Sequence, residues 1–294
     1  MLNGFLILAL ALFVESCAID SLLYEESNYT IGSDITLDIV TWNIENFPKQ
    51  GGQTVSYMVQ LIDTMDVDII ALQEIGNQDY FDDLVSKLSG WSGYRKENSR
   101  GLAYLYKSFI VPHSIEEISE LVNYSLTRTP LLMVFTWQEE TIYLINNHYK
   151  CCGDGIIQNA YDDEEYRRQQ SCILTKNYID TNLPYENVIL AGDLNDELND
   201  PDNHNVFNNF INDSENYLFV DEDIAFGKTT EWSYPSWPSH LDHILITNEL
   251  FDNFNKPNAR VLTVKIEDVL SGGWTEYEKN ISDHRPVAVR LVFK

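Results

Sequence analysis

The stretch NVILAGDLND, residues 187–196, is an apolar run that ends in Asp193, Asn195 and Asp196. Its first seven residues have the length and composition of a buried strand, which predicts a strand over 187–193. Buried strands often end in Asp or Asn because these side chains form turns with their own backbone. Taken alone, this stretch fits a turn as well as it fits a functional site.

The same kind of ending recurs along the chain. Polar side chains adjoin apolar runs at WNIEN (42–46), LQEI (72–75), NNHYK (146–150) and SDHRP (282–286). The polar residues at all these ends are Asn43, Glu74, His148, Asp193, Asn195, Asp283 and His284. Because so many endings are hard to explain as turns alone, they predict one polar site along one edge of a sheet.

Strand-like and helix-like segments are interspersed from residue 37 onward, without a repeat or a Pro/Gly/Ser linker. The predicted strands are 37–43, 68–74, 102–107, 131–137, 141–147, 187–193, 241–247, 260–264 and 286–293. The predicted helices are 55–65, 80–88 and 159–179. Since hairpins and helical crossovers both occur, we expect mixed sheets covered by helices in a single domain over 37–294.

The chain is strongly acidic, with 46 Asp and Glu against 19 Lys and Arg and a formal net charge of −27. Such a surface repels polyanions on average, which argues against a broad basic groove for nucleic acid. A divalent cation can reverse the sign of the charge locally, so the acidity does not exclude a phosphate-containing substrate.

Residues 1–17 predict an export signal. The apolar run over 5–14 has the length of a signal core and is too short to span a bilayer. Cys17 follows a motif similar to the acylation signal of bacterial lipoproteins, in which Glu15 is untypical. We expect an exported protein that is secreted, periplasmic or anchored to a membrane through a lipid on Cys17, with 18–36 as a polar tether. A buried N-terminal helix or strand is the alternative.

The remaining cysteines are Cys151, Cys152 and Cys172. In an oxidising compartment a disulfide from Cys172 to Cys152, or in the alternative to Cys151, would close a loop of about 20 residues worth roughly 3 kcal/mol. A buried, unpaired Cys172 is the other interpretation. A zinc site is disfavoured because adjacent cysteines lack the spacer of a ligand pair.

Acids, amides and histidines at strand ends have defined chemical uses. A carboxylate such as Glu74 suits a hard cation like Mg²⁺, and Asn43 can orient it. Asp193 and Asn195 share one side of an extended chain and can bind a water or a phosphate oxygen. His284 can exchange protons near neutral pH if Asp242, at the start of LDHILIT (241–247), holds its far nitrogen.

Three further features have functional and structural interpretations. Arg128 precedes a predicted strand and can bind a phosphate through two hydrogen bonds, or it can be a solvated surface residue. The loop 230–240 contains two Trp and one Tyr that can stack a base, contact lipid or cover the core. Lone histidines are usually structural, and we apply this interpretation to His113, His204 and His243.

The combination of LQEI (72–75), AGDLND (191–196) and SDHRP (282–286), in this order, resembles the endonuclease/exonuclease/phosphatase superfamily. This is the group with the pancreatic deoxyribonuclease-like fold, and the similarity covers almost the whole chain from residue 42. The resemblance implies an α/β four-layer sandwich of two packed mixed β-sheets flanked by helices. It also implies metal-dependent hydrolysis of phosphodiesters or phosphomonoesters.

The resemblance assigns a role to each position. It implies catalytic roles for His284, Asp242, His148, Asp193 and Asn195. It implies phosphate contacts from Arg128, Asn195 and His148. It implies metal ligation by Glu74, Asn43 and Asp283, with Glu45 as an accessory carboxylate. The expected cofactor is Mg²⁺, with Ca²⁺ or Mn²⁺ as alternatives, and either Asp193 or His284 would be the base.

Two positions bear on the substrate. Gly76 stands where the deoxyribonucleases carry an arginine, and His148 is shared with sphingomyelinases and inositol-phosphate phosphatases. We expect an endonuclease-like nuclease, with a sphingomyelinase-like phospholipid phosphodiesterase or a phosphomonoesterase on sugar or inositol phosphates as alternatives. A non-catalytic surface binding module is a further alternative. We expect a monomer whose partner is a phosphoester substrate, either nucleic acid or phospholipid.

Overall fold

The computed structural model describes residues 31–33, 35–96 and 101–293. The predicted export signal and residues 18–30 and 34 of the predicted tether lie outside the described residues. Ile31 is buried and its amide donates to the Met65 carbonyl over 2.9 Å. The predicted tether is therefore too long, because its last part packs onto the fold and the first strand begins at Thr36.

The described residues form twelve strands. In chain order they are β1 (Thr36–Phe47), β2 (Ile69–Ile75), β3 (Trp91–Arg95), β4 (Ala103–Lys107), β5 (Ser114–Glu117), β6 (Leu131–Trp137), β7 (Glu140–His148), β8 (Asn187–Asp193), β9 (Tyr217–Phe219), β10 (Asp242–Thr247), β11 (Arg260–Thr263) and β12 (Val287–Val292).

The helices in chain order are α1 (Gly52–Met65), α2 (Gln78–Lys87), α3 (Glu164–Asn182), α4 (Asn208–Ile211), α5 (Glu222–Ala225), α6 (Phe251–Phe254) and α7 (Gly273–Asn280). Short 3-10 turns cover Ser119–Leu121, Thr229–Glu231, Asn248–Leu250 and Ile266–Val269. Within the described part of the chain, no helix has both the length and the apolar character needed to cross a membrane.

The strands form two six-stranded sheets. The first has the order β11-β12-β1-β2-β4-β3, and the second has the order β5-β6-β7-β8-β10-β9. β1 is parallel to β2, and β7 is parallel to β8, while the other neighbours are antiparallel. Both sheets are therefore mixed, as expected from the interspersed hairpins and crossovers.

The pairing places the predicted site residues at one edge. His148 at the end of β7 lies opposite Asp193 at the end of β8. Asp242, which begins the antiparallel strand β10, also lies opposite Asp193. β12 begins opposite Thr41 in β1. The carboxyl ends of β1, β2, β7 and β8 thus meet the amino ends of β10 and β12.

Three apolar clusters separate four layers. The central cluster lies between the sheets and includes Ile39 from the first sheet and Met133 from the second. A second cluster lies between the first sheet and α1, α2 and α7, and a third packs the second sheet against α3. In α1, Val55, Met58 and Ile62 recur at helical spacing, which explains why one face of this helix is buried. The expected four-layer sandwich of two packed mixed sheets is confirmed.

Several short elements were not predicted. β3, β5 and β9 are three to five residues long, and each pairs at the edge of its sheet with the strand that follows it in the chain; α7 has eight residues. α3 begins at Glu164, later than predicted, because the Asp163 side chain accepts a hydrogen bond from the Tyr166 amide over 2.6 Å and caps the helix.

The expected disulfide between Cys152 and Cys172 is not present, and Cys151 does not pair with Cys172 either. Cys172 is fully buried in the third apolar cluster under α3. Cys151 and Cys152 are exposed, and the Cys152 thiol instead donates to the Cys151 sulfur. The prediction was wrong because sequence separation alone does not show that Cys172 faces the interior.

Candidate active site

A cavity of about 400 Å³ opens at the edge where the strands of both sheets meet. Residues of all the predicted polar endings line it: Asn43, Glu45, Glu74, His148, Asp193, Asn195, Asp283 and His284. A second cavity of about 410 Å³ lies beside α4 and α5 and contains none of these residues. The sequence segments therefore come together in one place, as expected.

His284 is held by Asp242 from beneath the cavity. Its Nδ1 lies 2.7 Å from Asp242 Oδ2, and its Nε2 lies 4.0 Å from both Asp193 Oδ2 and Asp283 Oδ1. Burial by itself disfavours charge on the ring. The carboxylates of Asp242 and Asp193 outweigh burial and raise the pKa of His284 to about 10. At neutral pH this imidazole is therefore a charged donor that faces the cavity.

Asp193 is the carboxylate at the centre of the site. Its Oδ2 accepts a hydrogen bond from Asn43 Nδ2 over 2.9 Å, and its Oδ1 accepts one from the Asn195 amide over 3.1 Å. Burial raises the pKa of Asp193 to about 6, against the opposing attraction of His284. A carboxylate with this pKa is ionised at neutral pH and still able to take up a proton.

Gly192 allows β8 to approach β7 closely enough to place Asp193. A Cβ atom on Gly192 would lie 2.1 Å from the Asn147 carbonyl oxygen, so any larger residue would push the strands apart.

Asn195 has a left-handed backbone with φ of 56°, which Asn tolerates better than most residues. Its side-chain amide donates to the Tyr149 carbonyl over 3.3 Å.

Glu74 has a left-handed backbone with φ of 64°, an uncommon conformation for glutamate. Its Oε2 accepts a hydrogen bond from the Asn46 amide over 2.9 Å, and its Oε1 lies 3.3 Å from Asn43 Nδ2. The side chain remains 24% exposed to the cavity. Strained backbone held by surrounding contacts is typical of functional sites.

His148 is buried and electrically neutral. Burial, with repulsion from Arg128 and His284, lowers its pKa well below the usual range. Its Nε2 lies 3.4 Å from Asp193 Oδ2 and 3.9 Å from Glu74 Oε1. None of the described residues forms a hydrogen bond with its Nδ1. A neutral imidazole here can donate one hydrogen bond without adding charge.

The donor set on the β1 and β2 side fits a hard divalent cation. Glu45, Glu74 and Asp283 bring carboxylates to the same cavity, and Lys49, which ion-pairs with Glu45, supplies a positive charge beside them. Burial and repulsion from Glu45 raise the pKa of Asp283 to about 6, with His284 opposing. Excess negative charge with oxygen donors and room for water is the environment that Mg²⁺ prefers.

The described side chains close enough together to share one ion form two other groups. One is Asp193, Asp242 and His284, which are already joined by the His284–Asp242 hydrogen bond. The other is Asp221, His240 and His243. Glu74 and Asp283 do not belong to either group, so they would hold an ion together with water or substrate oxygens.

Arg128 lies behind the cavity. Its guanidinium contacts the carbonyls of His148 and Tyr149, each over 3.5 Å, and Thr127 Oγ1 over 3.3 Å. It is not among the described residues that line the cavity. It therefore supports the end of β7, and its phosphate contact stays a prediction.

A buried network that was not predicted as functional lies under Asp242. Asp221 Oδ2 is hydrogen-bonded to His243 Nδ1 over 2.6 Å and to His240 Nε2 over 3.0 Å. His243 Nε2 lies 2.9 Å from the Asp196 carbonyl oxygen. Burial opposes charge on both partners, yet their attraction raises the pKa of His243 and lowers that of Asp221. The structural interpretation of His243 is consistent with these contacts.

The aromatic loop forms one wall of the cavity. The Tyr234 ring centroid lies 4.8 Å from that of His284, and Trp237 is 77% exposed at the cavity rim. The Tyr234 and Ser239 backbones exchange hydrogen bonds of 3.0 and 3.1 Å, which close the loop into a tight hairpin. Trp237 is therefore presented to solvent from a loop whose base is closed by backbone hydrogen bonds.

Taken together, these groups can bind a phosphoryl group and move protons at it. A charged His284, a neutral His148 and the Asn195 amide are hydrogen-bond donors around one cavity, and Asp193 is an acceptor among them. Donors that are aligned before the reaction stabilise developing negative charge at low cost. The geometry therefore suits hydrolysis of a phosphoester.

Comparison with solved structures shows the same fold. D. rerio TDP2 complexed with a single-strand DNA product is 14% identical with a TM-score of 0.66, and the match covers 88% of this chain and 100% of that chain. An endonuclease/exonuclease/phosphatase family protein from Bacteroides thetaiotaomicron is 17% identical with a TM-score of 0.59, covering 88% and 98%. The human Nocturnin catalytic domain with bound sulfate is 17% identical with a TM-score of 0.59, covering 88% and 95%.

No curated protein sequence matches this chain closely enough to be compared with it. The model of the Endonuclease/Exonuclease/phosphatase family matches residues 40–284. This range includes all the predicted site residues that line the cavity. The chain therefore belongs to the endonuclease/exonuclease/phosphatase family of phosphoester hydrolases.

Proposed function

We propose that this protein is a divalent-metal-dependent phosphodiesterase whose substrate is a short, single-stranded nucleic acid. The observation that carries the proposal is the position of His284. The His284 Nδ1 atom lies 2.7 Å from Asp242, and the pKa of His284 is raised to about 10. Its other ring nitrogen is turned toward Asp193 in a cavity large enough for a substrate. A charged donor can stabilise the phosphoryl oxygens while an ionised carboxylate beside it accepts a proton from water, and both effects favour in-line displacement at phosphorus.

The pKa values of Asp193 and His284 favour Asp193 as the base and His284 as the hydrogen-bond donor. Asp193, with a pKa of about 6, is ionised at neutral pH and takes the proton of the attacking water. His284 carries a proton at the same pH and donates hydrogen bonds to the phosphoryl oxygens. His148 and Asn195 orient the phosphate from the β7 side without adding net charge.

Glu74, with Asn43 and Asp283, would hold the cation, and Glu45 would assist. A bound Mg²⁺ would neutralise charge on the phosphoryl oxygens. The chain's own contribution is to fix these carboxylates. Asn43 and the Asn46 amide hold Glu74, and the Asp283 amide donates to Glu45 Oε2 over 3.1 Å.

The choice of a short single strand rests on three observations. Trp237 is exposed at the cavity rim, where an indole can stack a base regardless of its identity. The net charge of −27 disfavours the long phosphate backbone of a duplex. The solved D. rerio TDP2 complex contains a single-strand DNA product, which supports the same substrate class here.

We also propose that the protein is exported as a monomer and is secreted, periplasmic or membrane-anchored through a lipid on Cys17. The support is the apolar run over 5–14 followed by Cys17. Metabolic labelling with palmitate, compared between the natural chain and Cys17→Ser, tests the anchor. Label that is equal in both chains would exclude lipidation at Cys17.

The function is tested with a panel of a short DNA strand, a short RNA strand, plasmid DNA, sphingomyelin vesicles and a phosphomonoester. Each is assayed with Mg²⁺, Ca²⁺, Mn²⁺ or EDTA. We expect cleavage of the short strands, loss of activity in EDTA, and loss of activity in His284→Ala. His113→Ala is the matched control, because His113 lies on the surface at the start of β5 and away from the cavity. Activity that persists in EDTA or in His284→Ala would refute the proposal.

A phospholipid phosphodiesterase is the second candidate. The same exposed Trp237 can enter a lipid surface, and Gly76 removes one contact expected for a DNA backbone. Sphingomyelin cleaved while the nucleic acids stay intact would establish this candidate in place of the nuclease. Cleavage of the phosphomonoester alone would establish a phosphatase.

A further inference from the structure

Cys151 and Cys152 form an exposed thiol pair on the wall of the catalytic cavity. Their sulfur atoms are 2.9 Å apart, with the Cys152 thiol donating to the Cys151 sulfur. Both residues line the cavity together with His148 and Asn195. Nothing in the hydrolysis of a phosphoester requires two thiols at this place.

The segment that carries the two cysteines is tied to the catalytic strand ends. Arg168 donates to the Lys150 carbonyl over 2.9 Å and to the Cys152 carbonyl over 2.6 Å. The same buried guanidinium is ion-paired with Asp196 at 2.6 Å and with Glu165 at 3.2 Å. Arg168 therefore connects the backbone of residues 150–152 to Asp196, in the segment that follows β8.

We propose that Cys151 and Cys152 are a site of reversible oxidative modification, at which a disulfide between adjacent residues forms and reshapes the catalytic cavity. The oxidant is a small-molecule disulfide such as oxidised glutathione. The two sulfurs are already in contact, and a bonded pair lies at about 2.0 Å, so they need to approach by only about 1 Å. Exposure at the cavity rim gives the oxidant access.

The reaction takes place in two exchange steps. The Cys151 sulfur, as thiolate, attacks the small disulfide, forms a mixed disulfide and releases one thiolate. The Cys152 sulfur then attacks the Cys151 sulfur and releases the second thiolate, and the two cysteine protons end on the two released thiols. Two electrons pass from the cysteines to the small disulfide, which leaves as two thiols.

The bond would be easy to reverse. Adjacent Cα atoms are about 3.8 Å apart, below the separation of about 4.4 Å or more found in ordinary disulfides. Strained disulfides are more readily reduced and are the labile or regulatory ones. Cys152 already has a left-handed backbone with φ of 73°, so closing the ring would change a segment that is conformationally constrained.

Formation of the disulfide would affect catalysis by displacing the residues that position the substrate. Asn195 Nδ2 donates to the Tyr149 carbonyl over 3.3 Å, and the Arg168 contacts hold the next carbonyls. A displacement of about 1 Å at a positioning group can reduce a rate by about 100-fold. We expect the oxidised protein to lose at least about tenfold in kcat, and a thiol reductant to restore it.

The test uses the full chain with Cys17→Ser, which leaves Cys151, Cys152 and Cys172. The protein is treated with oxidised glutathione, denatured, and analysed for free thiols and for mass. We expect only the Cys172 thiol to remain, a mass lower by two hydrogens, and a cross-link within one peptide that spans residues 151–152. Burial raises the pKa of the Cys172 thiol well above its usual range, which keeps it inert in the fold.

Variants separate the proposed modification from other outcomes. Cys151→Ser and Cys152→Ser should each retain one glutathione as a mixed disulfide, whereas Cys172→Ser should still form the internal bond. No loss of thiols even in a large excess of oxidised glutathione without reduced glutathione would overturn the proposal, and so would a mapped bond to Cys172 or between molecules. These readouts do not depend on catalysis, so a failure of the proposed phosphodiesterase activity leaves them intact.

Discussion

The side-chain amide of Asn43 donates to Asp193 Oδ2 over 2.9 Å, although 150 positions separate the two residues. Asn43 lies near the end of β1 in the first sheet, and Asp193 ends β8 in the second. This hydrogen bond therefore crosses from one sheet to the other at the catalytic edge. It also lowers the pKa of Asp193, against the larger effect of burial.

Replacing Asn43 tests this connection. In Asn43→Ala the pKa of Asp193 should rise, because a hydrogen bond to its ionised form is lost, and the acidic limb of kcat/KM should move to higher pH. We expect activity at neutral pH to fall by about 10- to 100-fold. Asn187→Ala, at the opposite end of β8, is the control. An acidic limb that stays in place would show that Asn43 does not act on Asp193.

The His284–Asp242 pair predicts how stability depends on pH. The pKa of His284 is about 10 in the fold, above its unfolded value of about 6.5. Its charged form therefore stabilises the fold, fully below about pH 6.5, and this contribution is lost as the pH rises through about 10.

Thermal unfolding of the natural chain and of Asp242→Asn, followed between about pH 6 and pH 10, measures this contribution. The decline of Tm with pH should be weaker in Asp242→Asn, because the carboxylate that raises the pKa is gone. Asp252→Asn changes an exposed acid on α6 and serves as the control. Parallel Tm curves for all three proteins would contradict the prediction.

Glu74→Gln tests the metal site. Mg²⁺ should raise the Tm of the natural chain without substrate, since an ion that binds only the folded state stabilises it. In Glu74→Gln this rise should largely disappear, and activity should fall by about 100-fold or more. Glu140→Gln, at the far end of β7, should behave like the natural chain. An undiminished rise of Tm in Glu74→Gln would exclude Glu74 as a ligand.

Trp237→Ala tests the substrate contact at the cavity rim. Stacking of one base on an aromatic side chain is worth about 1–3 kcal/mol, so KM for a short strand should rise by about 5- to 150-fold. Tm should hardly change, because the indole is 77% exposed. Trp237→Phe should recover part of the affinity, and Tyr185→Ala, exposed elsewhere, should have no effect. An unchanged KM would remove the stacking argument for nucleic acid.

Asp221→Ala tests the buried network beneath Asp242. The substitution leaves His240 and His243 without their shared carboxylate, and breaking a buried ion pair costs about 3–5 kcal/mol. Urea unfolding should show this loss as a lower midpoint. Asp223→Ala, an exposed neighbour on α5, should stay within about 0.5 kcal/mol of the natural chain. A loss as small as that of the control would show that the network is dispensable.

The sequence determined most strands and the composition of the site. The strands 131–137 and 187–193 coincide with β6 and β8, because their buried apolar runs are bounded by turn residues. The polar residues at the strand ends could be predicted equally well, since a carboxylate or imidazole beside a buried apolar run rarely lacks a partner. The short elements β3, β5, β9 and α7 escaped prediction because segments of three to eight residues show too little of a strand or helix period.

Only the tertiary structure decided which of these groups touch and what their charges are. Both histidines are buried, which by itself lowers the pKa of each. The carboxylates of Asp242 and Asp193 overcome this effect and raise the pKa of His284, whereas at His148 repulsion from Arg128 and His284 adds to the effect of burial. The same holds for the cysteines, where Cys172 faces the core and Cys151 faces Cys152. Residue types and their spacing were enough to predict which side chains belong to the site. Their pKa values and contacts depend on burial and on distances through space, and these are set only when the two sheets pack together.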